Sequence, residues 1–391
     1  MHITTFYDSV EIHRQNKVIY AKFLNPHLVL STCRLNPGIR RDLKYVLNHQ
    51  ACEPTGHDRA RRSIKDPKGY AEDVCGPLGI EPDKCAMMST AANMNNAAIV
   101  VEEFEGLEVA AVVTAGVETN AGRAGDPATV METEEGFLRL PSMEPIRRRP
   151  GTINIMLFIG HALSDAALVR SVITATEAKS AALQELNVNS RYSDGLATGT
   201  GTDQMVVSSK ETHQGFRLSW AGKHSKLGEL IGITVKSAVK EALKNQNRLT
   251  PQGQCSSLRH LERFGLKKEE FLAKITSFLG PREGRLFLDN YKSIDRDPLT
   301  VASVASICHV KDKFKWGILP AACWKDIMGA SSAQIACAVG GRWDRFAIYR
   351  ERLGDYATDC DNQSFITLCT RAFALGFQDK WGEKETKGNE R

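Results

Sequence analysis

Residues 97–117, AAIVVEEFEGLEVAAVVTAGV, set two β-branched runs on either side of Glu105-Gly106. That pattern predicts a hairpin. KVIYAKFLNPHLVLS (17–31) predicts two short strands about an Asn-Pro turn, and TINIMLFIG (152–160) and QMVVSS (204–209) predict one strand each. IRRDLKYVLNHQA (39–51) suits a helix or a strand equally well. PKGYAEDVCGPLGIEPDKCAMM (67–88) predicts a helix, a Gly-Pro break and a short second helical piece.

Helical spacing takes over after Ser164, a suitable N-cap for a helix from Asp165 to about Leu186. At about 100° per residue Leu168, Val172, Ile173, Leu183 and Leu186 form one apolar stripe. Thr176 and Lys179 fall inside that stripe and Glu177 on its border. A lysine on a core face needs a partner, a route to solvent or a task. A snorkelling lysine and a threonine bonded back to its own helix would give the same pattern. A second helix is expected from Lys226 to about Lys244, N-capped by Ser225, with Lys223, His224 and Lys226 crowding its first turn. Cations are unfavourable at a helix N-terminus, so this cluster reads either as a site for an electron-rich oxygen or as a solvated basic turn.

The polar stretch KNQNRLTPQGQCSS (244–257) is the best linker, and beyond it charged and apolar residues alternate in helical segments. The expected architecture is α+β: a sheet-and-helix catalytic domain over 1–250, then a mostly helical region over 251–391. The connector METEEGFLRLPSMEPIRRRPG (131–151) is polar and basic, and the tail KWGEKETKGNER (380–391) is expected to be disordered.

Charge narrows the function classes. Fifty-one Lys and Arg against 46 Asp and Glu give a net charge of only +5, so nucleic acid is not implied. The longest apolar run is about half a membrane span. The N-terminus is polar where a secretion signal would be apolar, and the ten cysteines are scattered without a CxxC, as in a reducing compartment. A soluble cytoplasmic protein follows, without membrane partner.

Candidate chemistry gathers in loops. GLATGTGTDQMVV (195–207) lacks the GxxxxGK[ST] of a phosphate loop. Gly199 and Gly201 let the backbone approach a bulky ligand, while Thr198, Thr200, Thr202 and Asp203 supply hydroxyls and a carboxylate. TAGVETNAGRAGDPA adds Asn120 and Asp126, GTINI adds Asn154, TATEAK adds Thr176, Glu177 and Lys179, and AGKHSKLGE adds His224.

These segments, in this order and with VLSTCRLNPG and YVLNHQ before them, closely resemble the adenosylcobinamide amidohydrolase family of corrinoid salvage over residues 15–245. RLNPG departs from it, with Pro37 where a Gly-Gly pair is expected. The resemblance implies hydrolysis of the amide joining a corrin side chain to aminopropanol, releasing cobyric acid for cobamide salvage or remodelling. The corrinoid would be substrate and no cofactor is implied.

Amide hydrolysis needs an attacking group, a donor to the developing oxyanion and an acid for the leaving amine. Glu177 or His224 suits a general base. Lys179 and Asn120 suit carbonyl donors, and Asp126, Asn154 and Asp203 suit positioning groups. The catalytic set is therefore Glu177, Lys179, His224 and Asp203, with Asn120, Asp126, Asn154, Thr176, Thr198, Gly199, Thr200, Gly201 and Thr202 on the substrate. A threonine nucleophile, Thr176 or Thr198, lacks any accompanying triad spacing. Asp126, Glu177, Asp203 and His224 would have to gather around an ion to activate water, but none belongs to a ligand motif, and no metal is expected. The alternatives are a non-hydrolytic corrinoid-binding or trafficking protein and an unrelated acyl-transfer enzyme. A homo-oligomer is compatible with the sequence.

Overall fold

A computed structural model of the chain describes residues 1–51, 62, 65–140, 151–212 and 215–381. The end of the basic connector (141–150) and all but the start of the charged tail (382–391) lie outside the described residues. The chain forms two compact units, Met1–Thr250 and Pro251–Arg391.

The first unit carries two main sheets. One contains β1 (His2–Phe6), β2 (Val10–Gln15), β3 (Val18–Phe23), β6 (Tyr45–Gln50) and β7 (Cys85–Thr90), in the order 1-2-3-6-7. The other runs β5 (Gly38–Arg40), β4 (His27–Ser31), β15 (Gln204–Lys210), β13 (Ile153–Ile159), β9 (Leu107–Ala115), β8 (Ala98–Phe104). Pairings within both are antiparallel except β6 with β7 and β13 with β15. The segment 39–51, undecided by its pattern, is thus extended, and CAMM at 85–88 is strand rather than helix. The predicted β8–β9 hairpin forms, turning at Glu105 and Gly106 with φ 48° and 83°. Positive φ at both positions matches the right-handed twist of the flanking strands.

Side-chain alternation stacks these sheets face to face. Ile19, Ala21 and Phe23 of β3 meet Ala110, Val112, Met156 and Phe158 of the second sheet in one core. Ile153, Ile155, Leu157 and Ile159 point the other way, into a core shared with α2 (Asp165–Glu185) and α3 (Lys226–Asn247). Val18 and Leu47 pack on the opposite outer face against α1 (Pro67–Cys75). The order is helix, sheet, sheet, helices. β13 is buried on both faces, which is why it reads as a continuous apolar run.

Helix α2 starts on Ser164, whose side chain accepts from Ala167 N–H. Its buried stripe differs from the predicted one: Ile173 is 43% exposed and Thr176 is exposed, while Ala167, Ser171, Ala175, Ala178 and Ala182 face inward. Alanines bring a helix backbone close to its neighbours, so small residues rather than the bulkiest ones define the packed side.

His27 sits in this sandwich stacked on Phe23, its Nδ1 donating to Asn25 O (2.8 Å) and its Nε2 accepting from the Tyr7 hydroxyl (3.2 Å). Burial lowers it from 6.5 to about 4, with Lys210 adding to the shift and the Asn25 carbonyl and Glu211 opposing it. Between those values the unfolded chain binds a proton that the folded chain excludes, so stability is complete above pH 6.5 and falls as pH drops towards 4. The loss on going from pH 7 to 4 amounts to about 3 kcal/mol from this residue. Denaturant melts at pH 7 and 4.5 should show His27→Gln losing less stability on acidification than the parent; equal losses would remove His27 as a cause.

The second unit is helical: α4 (Pro251–Gln254), α5 (Ser257–Leu261), α6 (Lys268–Ser277), α7 (Pro281–Asp295), α8 (Pro298–Lys315), α9 (Trp324–Gly340), α10 (Phe346–Gly354) and α11 (Asn362–Trp381). Its core shares no residue with those of the first. α9 and α11 approach so closely that a Cβ on Gly376 would strike the Ala336 carbonyl. Among the described residues no helix is long and apolar enough to cross a membrane.

Candidate active site

The six-stranded sheet brings four chain segments to one edge. β13 and β15, being parallel, both begin there, with Asn154 beside Gln204. β9 and β4, antiparallel to them, both end there. The facing sheet contributes the ends of β6 and β7: Asn154 Nδ2 donates to Asn48 Oδ1 (2.9 Å) and Ser89 O (3.0 Å), and Asn48 Nδ2 donates to Thr114 Oγ1 (2.8 Å). Asn154 is fully buried in this seam and its Oδ1 has no partner. It lies beneath the edge, away from the loop tips.

Above the seam sits the glycine-threonine loop. β10 (Ala121–Gly122) pairs antiparallel with β14 (Gly199–Thr200), joining TAGVETNAGRAGDPA to ATGTGTD. Asp203 organises the joint. Its Oδ1 accepts from Ile153 N (2.9 Å) and Thr200 Oγ1 (2.6 Å), and its Oδ2 from Thr200 N (2.9 Å) and Lys179 Nζ (2.5 Å). A carboxylate offers about four acceptor positions. All four are occupied, so Asp203 is an anchor and has no lone pair left for abstracting a proton. Gly199 lies against the pair: a Cβ there would overlap Asp203 Oδ2 and come within 2.7 Å of Lys179 Nζ.

Around the anchor, Thr152 and Thr202 hydroxyls stand 2.6 Å apart, and Thr202 Oγ1 donates to Gly151 O (3.1 Å), an oxygen that Asn120 Nδ2 also reaches. Asn120 Oδ1 is buried without a partner. Thr198 Oγ1 accepts from Ala124 N (2.9 Å). Asp126 accepts from Arg123 N (2.7 Å) and Ser190 Oγ (2.6 Å). Burial works to raise Asp126, but hydrogen bonds from Ser190, Ser193 and the Arg123 backbone hold it below the ordinary carboxylate value. Gly201 and Thr202 form the exposed tip.

Glu177, His224 and Thr176 are not brought to this cluster. Glu177 and Lys179 are two residues apart on α2, hence about 200° apart around its axis. Lys179, 9% exposed, turns inward to Asp203; Glu177 turns outward and pairs with Lys223 at 2.7 Å. Thr176 and His224 are also exposed. The basic cluster before α3 is exposed, and within it Lys223 pairs with Glu177.

Asn48, Ser89, Thr114, Thr152 and Gln204 join the site without being expected from the sequence. A signal existed at Asn48, a polar residue inside the strand YVLNHQ, but its side-chain partners come from two other strands, β9 and β13. Cys33, also at this edge, is buried, and burial pushes its thiol up to about 12 although Ser31 pulls the other way, which removes it as a thiolate nucleophile. Among the described residues no three His, Cys, Asp or Glu side chains are grouped to hold a metal ion.

Residues 3–251 match the family model described as adenosylcobinamide amidohydrolase. The chain is similar to an uncharacterised protein of Methanocaldococcus jannaschii, 36% identical over 60% of this chain and 89% of the relative. It is also similar to a Methanosarcina mazei protein named adenosylcobinamide amidohydrolase, 26% identical over 54% of this chain and 87% of that one.

Proposed function

The chain belongs to the adenosylcobinamide amidohydrolase family, and from that premise we propose that it hydrolyses the amide between a corrin side chain and aminopropanol in (adenosyl)cobinamide. Water adds to the carbonyl carbon, the C–N bond breaks, and the products are a cobyric acid carboxylate and protonated aminopropanol, serving corrinoid salvage or remodelling in the cytoplasm. The observation that carries this reading is the Lys179–Asp203 pair at the meeting point of the glycine-threonine loops.

Asp203 holds the loop and aims the lysine. Lys179 has three N–H donors and spends one on Asp203, leaving donors for the substrate carbonyl oxygen as it becomes an oxyanion. Thr200 is committed to the anchor, whereas Thr202, at the exposed tip, presents its hydroxyl beside it for the attacking water or the substrate's amides, held from behind by the buried Thr152. Gly199 leaves room for the Lys179–Asp203 pair itself, and Gly201, open at the exposed tip, leaves room for a flat, amide-fringed macrocycle to lie against the backbone. No resident cofactor takes part in this scheme.

The test is incubation of the full chain with adenosylcobinamide, with and without chelator, and mass spectrometry of the products. Cobyric acid and free aminopropanol in both samples are expected. Product lost with chelator would replace the side-chain scheme by a metal-activated water, and tight corrinoid binding without product would make the protein a binder.

A further inference from the structure

Between Asp126 and β13 the chain forms a two-stranded ribbon belonging to neither main sheet: β11 (Val130–Thr133) and β12 (Gly136–Arg139). Isolated hairpins are marginal in water, and this one exposes Val130 (38%), Met131 (49%), Phe137 (51%) and Leu138 (53%). Four apolar side chains on so small a ribbon require a function or a cover.

Register divides them. Met131 faces Leu138 on one side; Val130 with Arg139 and Glu132 with Phe137 share the other. The Phe137 side has a direction, because Arg34 lies over its ring at 5.8 Å. Arg34 follows the end of β4, and the intervening Thr32 N donates to Met205 O at the start of β15. The ribbon leaves the chain on the Asp126 side, tied through Ser190 to the loop after α2, and meets the protein again on the β4 side. Its attachments, at the Asp126 loop and at Arg34 beyond β4, are to two of the segments that end at this edge, and Val130 shares the face on which Phe137 meets Arg34.

We propose that this ribbon is the apolar wall of the substrate site, Phe137 and Val130 covering the hydrocarbon face of the corrin macrocycle while the glycine-threonine loop meets its amides. This rests on the amidohydrolase reading above. It makes substrate the occupant because the ribbon is covalently continuous with the site's own loops and bridges them to β4.

Phe137→Ala tests it against Leu138→Ala on the opposite side. For the parent, cobinamide binding is followed by the corrinoid's visible spectrum, hydrolysis by product release, and backbone hydrogen exchange over 130–139 with and without cobinamide. Phe137→Ala should raise KM and the dissociation constant about tenfold with kcat within twofold and an unchanged melting temperature. Leu138→Ala should leave all four near the parent values, and cobinamide should slow exchange across 130–139 of the parent. Unchanged KM for Phe137→Ala with exchange indifferent to cobinamide overturns the proposal while leaving the hydrolysis standing. A parent dimer dispersed by Phe137→Ala at unchanged KM also overturns it, by assigning the ribbon to a second copy. A parent that neither binds nor hydrolyses cobinamide removes the amidohydrolase reading, and this inference with it.

Discussion

Lys179→Met should lower kcat for cobinamide hydrolysis roughly a thousandfold, the scale of losing one preorganised oxyanion donor in a water-poor site. Methionine keeps the length and most of the apolar stem, so packing on α2 survives. The cost to stability should stay at about 1–3 kcal/mol, because Asp203 retains its bonds from Ile153 N and both Thr200 donors when the ammonium is removed. Glu177→Gln and His224→Ala should each leave kcat within twofold, since both side chains are exposed on the outer side of the helix layer. Steady-state kinetics on the three variants decide the matter. A fully active Lys179→Met would reduce the ion pair to a structural clasp, and a dead Glu177→Gln or His224→Ala would move the chemistry to the outer face.

The second large effect is expected in the helical unit. Gly376→Ala would drive a methyl into the Ala336 carbonyl and within 3.0 Å of that residue's carbonyl carbon. The obstacle is backbone in the middle of α9, so relief requires the two helices to move apart, at a cost on the order of 3 kcal/mol. Calorimetry should show one transition lowered by about 10 °C and the other unmoved, because the cores of the two units share no residue. Hydrolysis should persist at temperatures where the lowered transition is complete. A single transition that shifts as a whole would show that the units unfold together.

What could be read from sequence followed local physics. The Glu105-Gly106 turn, the Ser164 and Ser225 caps and the apolar run of β13 each announce themselves within a few residues, and each forms. The α+β class is what the structure shows, with the second unit helical. The membership of strands in sheets was not legible: β3 and β4 are separated by a three-residue turn yet belong to different sheets, a choice made by partners far away in sequence. The face of α2 was misassigned at Ile173 and Thr176 because bulk was taken as the marker of burial, whereas alanine closeness decided it. Lys179 was singled out correctly as a lysine that needs a partner, and Asp203 was singled out as the loop's lone carboxylate. That they are each other's partner depends on the α2 crossover, which no short motif encodes. The separation of Glu177 from Lys179 was implicit in 3.6 residues per turn.

The pairing of β4 has a consequence for the chain during its synthesis. One side of β4 is satisfied early by β5, a few residues on, but its other side waits for β15, whose Met205 accepts from Thr32 across 173 positions. For the time needed to translate that interval, His27–Ser31 offers an open row of backbone donors and acceptors beside largely buried-type side chains. Such a row is a template for another nascent chain. Slow elongation before residue 210 should therefore favour aggregation, and a chaperone that shields the β4 margin should improve the yield of folded protein more than one acting after release.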